Sequence, residues 1–465
     1  MSYVKNMFND TICAIATAPS NSGISIIRVS GDKSVSVVDS IFVNPNYKHI
    51  LTSMESHTIS YGFLLDGEEI VDEVLVSYFK GPKSFTAEDT VEINCHGGVF
   101  VTNRILNLVI KSGARLAEPG EFTKRAFLNG RIDLSKAEAV MDVISSSSNL
   151  SLKSSISSLR GSIYEKIKDI RSKIIYEIAF IESALDDPEH ISLDGYPERL
   201  NVTVSEIIEK IAQLIKSNEN GRIIKDGIKT VIVGKPNAGK SSLLNMLSGY
   251  ERAIVTDIAG TTRDIIEEKI IVGDINLCLL DTAGIRETDD LVESIGVNKA
   301  KESVEDADLV IFVVDSSTEL DNNDRDIISL IKDKKSIVLY NKSDLAPKVS
   351  PEDIFEFLPN SRVIKTSAIN DIGYDEFEEA IKDMFVLNEI DTNNEVIITN
   401  TRHKIALEEA FNSLNNVILS IENGMPEDFY SIDLMGAYSS LGSIIGEEVS
   451  DDLVNEIFAK FCMGK

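Results

Sequence analysis

The residues with the plainest chemistry form the run Gly234-Lys235-Pro236-Asn237-Ala238-Gly239-Lys240-Ser241, whose paired glycines and Lys-Ser ending space a phosphate-binding loop. Glycines let the backbone curl so that successive N–H groups surround a phosphate chain. The lysine reaches the terminal phosphates and the serine hydroxyl joins Mg²⁺. On this reading Asn237, Ala238, Gly239, Lys240, Ser241 and Ser242 touch the nucleotide, and Ser241 holds the magnesium ion.

Further motifs follow in order. Asp281-Thr282-Ala283-Gly284 ends a β-rich run, where a carboxylate approaches Mg²⁺ and a glycine lies beside the γ-phosphate. Asn341-Lys342-Ser343-Asp344 ends another. An aspartate at that place accepts hydrogen bonds from both the ring N–H and the exocyclic amine of guanine. Adenine has no such pair and would leave the carboxylate unpartnered. Ser367-Ala368 follows the last such run and offers backbone N–H groups to the base. Together with Asn341, Lys342 and Asp344, these motifs select GTP over ATP. Between the first two motifs lies Thr256-Asp257-Ile258-Ala259-Gly260-Thr261-Thr262-Arg263-Asp264, with Thr262 the expected switch threonine on Mg²⁺. Ile285 follows DTAG where Ras-like enzymes carry a water-orienting glutamine. Isoleucine cannot orient water, so the catalytic group must come from elsewhere.

The elements that position these motifs alternate. TVIVG, NLCLLD, DLVIFVVD, SIVLYN and RVIKT are β-rich, while KSSLLNMLSG, NDRDIISLIKDK and YDEFEEAIKDMF are helical between them. Such alternation from about residue 222 to 385 predicts βαβ units and a mostly parallel sheet. DIIEEKIIVGDINLCLLD turns at Gly273-Asp274 and predicts one antiparallel hairpin within it. Upstream, ISIIRVSG, EEIVDEVLVSYF and TVEINCHGG read as strands and Asn103–Lys111 as a helix, an α+β or α/β unit over residues 1 to about 120.

From Ser135 the pattern is helical. Leu152, Ile156, Leu159, Ile163, Ile167, Ile170, Ile174, Ile178, Ile181 and Leu185 repeat every 11 residues, close to the period of a straight helix. One helix of about 50 Å is expected, ended by Asp186-Asp187-Pro188. After Asn400 helices return as HKIALEEAFNSLNNVILSIEN and as DDLVNEIFAKFC behind a Ser450 cap, with a stretch broken by Gly424 and Pro426 between them. Their apolar faces need a partner, and the helical segment ahead of the α/β region is the nearest. The expected architecture is therefore a helical domain interrupted by an inserted α/β domain.

The chain has 465 residues, a length that suits about three domains. Its 43% apolar content excludes wholesale disorder. Lys plus Arg number 46 against 75 Asp plus Glu, a net charge of −29, which argues against a protein that coats DNA or RNA. Nucleic-acid contact must be local or shared with a partner. Lys153, Arg160, Lys166, Lys168, Arg171 and Lys173 form one candidate patch, although such a run reads first as a solvated helix face. The four scattered cysteines form neither a zinc site nor a disulfide framework and favour a reducing compartment. Cys462 lacks the paired histidine of a nucleophile, and His96 reads as structural. No apolar run approaches the roughly 18 residues of a membrane span. A soluble, cytoplasmic protein with neither membrane nor DNA as a partner is expected.

With GKPNAGKSS, TDIAGTTRD, DTAG, NKSD and FCMGK in this order, and with the long segment PGEFTKRAFLNGRIDLSKAEAVMDVI upstream, the chain resembles the MnmE (TrmE) family of tRNA modification GTPases. The likeness runs from NDTICAIATAP to FCMGK. It implies a multidomain α/β fold in which a P-loop GTPase domain (residues 221–385) is inserted into an all-α helical domain (121–220 and 386–465). An α+β tetrahydrofolate-binding and dimerisation domain (1–120) precedes them. It further implies a homodimer that joins the flavoprotein MnmG in a heterotetramer. Together they place an aminomethyl or carboxymethylaminomethyl group on the wobble uridine of certain tRNAs, with the carbon drawn from 5-formyl- or methylene-tetrahydrofolate.

Members of this family use K⁺ in place of a glutamine and an arginine finger. The resemblance assigns that ion to Asn237, Thr256, Ile258 and Thr261, and the catalytic carboxylate to Glu293 in VESIG. Folate falls to Arg28, Glu92, Arg131 and the terminal Lys465: a glutamyl tail calls for cations and a pterin's amine-bearing edge for a carboxylate. By residue type alone, Asn237 reads rather as a turn former, Glu293 as an exposed carboxylate near a helix start, and the folate set as ordinary surface charges; only the resemblance reverses this. Met463 stands where isoleucine is commoner in the family, and position 131 is often lysine. A ribosome-assembly GTPase of the Der or Era kind is the competing reading. Only one P-loop is present, however, and no GxxG-bearing carboxyl-terminal domain follows it.

Overall fold

The computed structural model describes residues 10–249, 268–280, 302–367, 369–370, 372–385, 396–462 and 464. The chain divides into two compact units. One is built from residues 1–141, 159–176 and 438–465, the other from 142–158 and 177–437.

In the first unit, β1 (Ile12–Ile15), β2 (Ile24–Ser30), α1 (Ser34–Asp39), β3 (Phe42–Val43), β4 (Thr58–Asp66), β5 (Glu69–Phe79), β6 (Thr90–His96), α2 (Val99–Lys111) and β7 (Arg115–Leu116) precede α3 (Glu121–Leu128) and α4 (Leu134–Ser145). The strands form one sheet in the order β3-β4-β5-β6-β2-β1-β7. Neighbours are antiparallel except β1 and β7, which run parallel through Ile12 and Arg115. Period-two alternation places Ile27, Val29, Val91 and Ile93 on one face, buried with Ile105 and Val109 of α2. The expected helix at Asn103–Lys111 lies inside α2.

Two helices, α5 (Asn149–Leu159) and α6 (Ser162–Asp186), stand where a single long one was expected. The ladder breaks at Gly161, whose φ of +98° no helix interior allows; a Cβ there would also lie 2.8 Å from Lys136 Cε. The apolar stripe behaves differently on each side of the break. Ile163, Ile167, Ile170, Ile174, Ile178 and Ile181 are buried, whereas Leu152 is exposed and α5 buries Ser151, Ser154, Ser155 and Ser158 instead. Ser155 Oγ donates to the Ser151 carbonyl at 2.8 Å, so hydroxyls returning to their own helix make that face buriable. Arg171 leaves the expected basic patch. Its buried guanidinium pairs with Glu447 and lies 3.9 Å from the Tyr438 ring centroid.

Next come α7 (Tyr196–Asp226), β8 (Ile228–Val233), α8 (Lys240–Gly249), β9 (Glu268–Val272), β10 (Ile275–Leu279), β11 (Leu309–Asp315), α9 (Asn322–Ile331), β12 (Ser336–Asn341), α10 (Pro351–Phe357), β13 (Arg362–Lys365) and α11 (Tyr374–Met384). Their sheet runs β13-β12-β11-β8-β10-β9. All pairs are parallel except the β9–β10 hairpin, which turns at Gly273-Asp274 as expected. Both faces are covered: Ile228, Ile232, Ile311 and Val313 enter one core, and Val231, Val233, Phe312 and Val314 the other. That two-sided burial explains why these strands read as unbroken apolar runs.

The chain then forms α12 (Thr401–Glu422), α13 (Glu427–Ile445) and α14 (Asp451–Ala459). Helix α7 packs along α12, and the Asn218 amide donates to the Ile398 carbonyl just ahead of it at 3.0 Å. The Ser450 hydroxyl caps α14 by accepting from the Leu453 N–H. In the first unit Phe458 of α14 is buried with Leu134 and Ala137 of α4. The expected class is the one observed: a mostly parallel α/β sheet between helical segments, after an α+β unit. Among the described residues no helix is long and apolar enough to cross a membrane, and no cluster of metal-binding side chains occurs.

Candidate nucleotide and ligand sites

The phosphate loop joins β8 to α8, so its N–H groups gather at the amino end of a helix, where anions are favoured. Asn237 adopts φ +61°, a left-handed conformation that asparagine tolerates better than most residues. The Lys240 ammonium closes the loop on itself by donating to the carbonyls of Gly234 at 2.7 Å and Lys235 at 2.8 Å. Burial lowers its pKa from the ordinary lysine range. The site thus holds a partly desolvated cation that gains when a phosphate arrives. Ala238 is buried, while Asn237, Ser241 and Ser242 face solvent beside it.

The base motif is stitched to this loop. Asn341 ends β12, and its Nδ2 donates to the Ala238 carbonyl at 2.9 Å. Gly239, at φ +102°, passes so close to it that a Cβ would lie 2.1 Å from that nitrogen. Lys342 Nζ is held by Asp315 Oδ2 at 2.6 Å. Desolvation raises the Asp315 carboxyl, but the hydrogen bond from Lys342 and those from Ser317 outweigh it and leave the pKa low. Asp344 is exposed, and Ser367 Oγ donates to its Oδ1 at 2.7 Å. The hydroxyl fixes the orientation of the carboxylate at the end of the Asn-Lys-Ser-Asp motif. Asn341 at the end of β12 thus meets the phosphate loop, and Ser367, two residues after β13, meets Asp344. Thr256, Asp257, Ile258, Ala259, Gly260, Thr261, Thr262, Asp281, Thr282, Ala283, Gly284, Glu293, Ala368 and Lys465 lie outside the described residues.

In the first unit, Arg28 and Glu92 are cross-strand neighbours on β2 and β6. Arg28 Nε donates to Glu92 Oε1 at 2.9 Å, and both side chains are largely shielded. Arg28 Cζ stands 5.6 Å from the ring centroids of both Phe85 and Phe122. Arg131 Cζ lies 5.3 Å from the Phe85 centroid, and its Nη1 donates to the Phe85 carbonyl at 3.0 Å. Arg28, Glu92 and Arg131 are thus gathered about one half-buried ring. The Gly464 carbonyl lies 3.4 Å from Arg28 Nη1. The exposed His96 lies with its Nδ1 2.7 Å from Asp72 Oδ1.

The sequence reading missed Phe85 and Asp315. Phe85 sits in a loop with no periodic neighbour to announce it. Asp315 carried one usable signal, an acidic residue closing a buried apolar strand.

A mostly parallel sheet with a glycine-rich strand–loop–helix turn and an Asn-Lys-Ser-Asp motif at the end of a neighbouring strand defines a P-loop GTPase, and the protein hydrolyses GTP. The family model for the MnmE helical domain matches residues 134–462, and that for the GTP-binding protein TrmE N-terminus matches residues 11–131. A tRNA modification GTPase MnmE from Lachnoclostridium phytofermentans is 56% identical over 99% of this chain and 100% of its own length. Relatives of the same name from Acetivibrio thermocellus and Clostridioides difficile are 50% and 46% identical over 98% of this chain, each across 99% of its own length. The chain belongs to the MnmE family of tRNA modification GTPases.

Proposed function

We propose that this protein is a potassium-dependent GTPase that works as a homodimer with the flavoprotein MnmG. On this reading the pair adds an aminomethyl or carboxymethylaminomethyl group to the wobble uridine of certain tRNAs. The observation that carries the proposal is the joint presence, in one chain alike to MnmE along 99% of its length, of a phosphate loop and a separate cluster of two guanidiniums, a carboxylate and two rings. Tetrahydrofolate supplies a one-carbon unit when bound. The cluster suits such a ligand: Arg28 and Arg131 oppose the glutamyl carboxylates, Glu92 accepts from the pterin's amine edge, and Phe85 and Phe122 flank a flat ring. Lys465 would add a further cation. The division into a folate and dimerisation domain (1–120), a helical domain (121–220 with 386–465) and a GTPase domain (221–385) belongs to the same proposal.

In the nucleotide site, Lys240 draws charge from the terminal phosphates. Ser241, with Thr262, would hold Mg²⁺; Asp281 to Gly284 would serve the γ-phosphate; and Asp344 would read guanine, helped by Ser367 and Ala368. Asn237, Thr256, Ile258 and Thr261 would hold K⁺, which would supply the positive charge that an arginine finger gives elsewhere. Glu293 orients the attacking water, taking the role that Ile285 cannot fill. The test is nucleoside mass spectrometry of bulk tRNA from cells lacking the gene. Loss of the wobble-uridine modification is expected, restored by the wild-type gene. Unchanged modification would favour a ribosome-assembly GTPase.

A further inference from the structure

Lys235, the second residue of the phosphate loop, is fastened at both ends. Its ammonium lies 2.6 Å from Asp324 Oδ2 and 3.2 Å from Asp321 Oδ2, and it donates to the Glu319 carbonyl at 3.4 Å. Its side chain is 14% exposed, so the charge is spent on these partners rather than on water. The two aspartates already build the amino terminus of α9. Asp321 Oδ1 accepts from the N–H groups of Asn323 and Asp324, and Asp324 Oδ2 accepts from the Asp321 N–H. They form a reciprocal capping box that sets the start of the helix. Asp324 is fully buried, and its Oδ1 has no hydrogen-bond partner among the described residues. Lys235 is therefore the side chain that neutralises it. At the other end, the Lys235 carbonyl accepts from Lys240 Nζ at 2.8 Å and from the Ala238 N–H at 3.3 Å.

We propose that Lys235 is a positioning residue for nucleotide binding. Its ammonium, anchored to the capping box of α9, fixes the carbonyl that holds Lys240, so the phosphate cradle is set before the nucleotide arrives. The alternatives are that Lys235 attracts phosphate directly, or that it serves only the stability of the sheet. An ammonium engaged by two carboxylates points its charge at α9, which speaks against the first. The hold on Lys240 speaks against the second.

The experiment uses the full chain, with titration by a fluorescent GDP analogue, steady-state GTP hydrolysis and thermal unfolding. Lys235→Met should weaken analogue binding by about 10- to 100-fold, the loss expected when one charge-assisted hydrogen bond from Lys240 to the phosphates is misaligned. KM should rise in step, with kcat at saturating GTP within about threefold of wild type. Lys235→Arg, which keeps the charge and the reach, should bind within about threefold of wild type. Lys235→Met also strands the buried Asp324 charge and should lower the thermal midpoint. The double variant Lys235→Met/Asp324→Asn removes that charge and restores the midpoint, while the anchor stays lost. Weak binding in this folded double variant is the decisive expectation. If affinity returns together with the midpoint, the loss was one of stability and the proposal fails. It also fails if Lys235→Met binds the analogue within threefold of wild type, or if kcat falls while KM stays constant.

Discussion

Gly239→Ala offers a sharp test of how closely the phosphate loop and the base motif are joined. The new Cβ would sit 2.1 Å from Asn341 Nδ2, and the backbone at φ +102° is one that alanine resists. Holding an L-residue on the left-handed side costs roughly 1–2 kcal/mol. Driving Asn341 away breaks its 2.9 Å bond to the Ala238 carbonyl, a further loss of about 0.5–1.5 kcal/mol. Together these amount to about 1.5–3.5 kcal/mol; a free loop that relaxes to escape this cost must be restored on binding, which makes a roughly 10- to 300-fold weaker nucleotide complex. Titration with a fluorescent GDP analogue measures it, alongside Asn341→Ala and the double variant. Because the clash needs both side chains, the double variant should lose less than the sum of the single changes. Strict additivity, or binding within threefold of wild type for Gly239→Ala, would refute the reasoning.

Asp344→Asn should turn base preference from guanine towards xanthine. The loss of two hydrogen bonds to a charged acceptor, at about 1.5–3 kcal/mol each, weakens GDP by roughly 10²- to 10⁴-fold; competition between GDP and XDP reports the switch, and unchanged GDP preference would oppose it. Glu121 gives the first unit an acid limit. Burial pushes its carboxyl up, but hydrogen bonds from Arg115, the Glu118 N–H and Arg125 outweigh this and hold the folded pKa below the ordinary 4.5. The unfolded chain therefore takes up the proton first, so this stabilisation is full above about pH 4.5 and fades as the pH falls through the folded value. Urea titrations from pH 6 to 3 should show that decline in wild type and a flatter profile in Glu121→Gln. GTP turnover should be faster in KCl than in NaCl at equal ionic strength, and equal rates would remove potassium from the proposal.

Elements and motifs encoded in contiguous residues were readable before the structure. The phosphate loop, the β9–β10 hairpin and the Ser450 cap each depend on neighbours a few residues apart. What escaped depends on partners far along the chain. Helix α13 went unread: the stretch was taken as broken by Gly424 and Pro426, whereas the helix begins just beyond them at Glu427 and carries Gly436 and Gly442 in its interior, where glycine is disfavoured. Here both mark close approaches: a Cβ would meet Ser413 Oγ at 3.2 Å from Gly436 and Arg171 Nη2 at 2.9 Å from Gly442. Tertiary contact overrides propensity at both. The reverse error arose at Gly161, where an unbroken 11-residue period concealed a positive φ. Periodicity records which positions are apolar, and it continues through a break that leaves the phase intact. Among the site residues, Arg28 and Glu92 stand 64 positions apart and meet only because β2 and β6 are neighbours. Nothing local announces the ring of Phe85 that Arg28 shares with Arg131.

The packing of Phe458 against Leu134 and Ala137 also sets a clock on the ribosome. The first unit draws on residues 1–141 and again on 438–465, so its early residues leave the exit tunnel long before the helix that covers them. Making the intervening stretch of about 300 residues takes about 15–60 s at 5–20 residues per second. During that interval Leu134, Ala137 and Phe127 must wait uncovered or be shielded by a chaperone. A ribosome stalled short of Val454 would therefore release a chain whose residues 1–141 are all translated, yet whose Leu134 and Ala137 lack the cover of Phe458 and stand open to proteases.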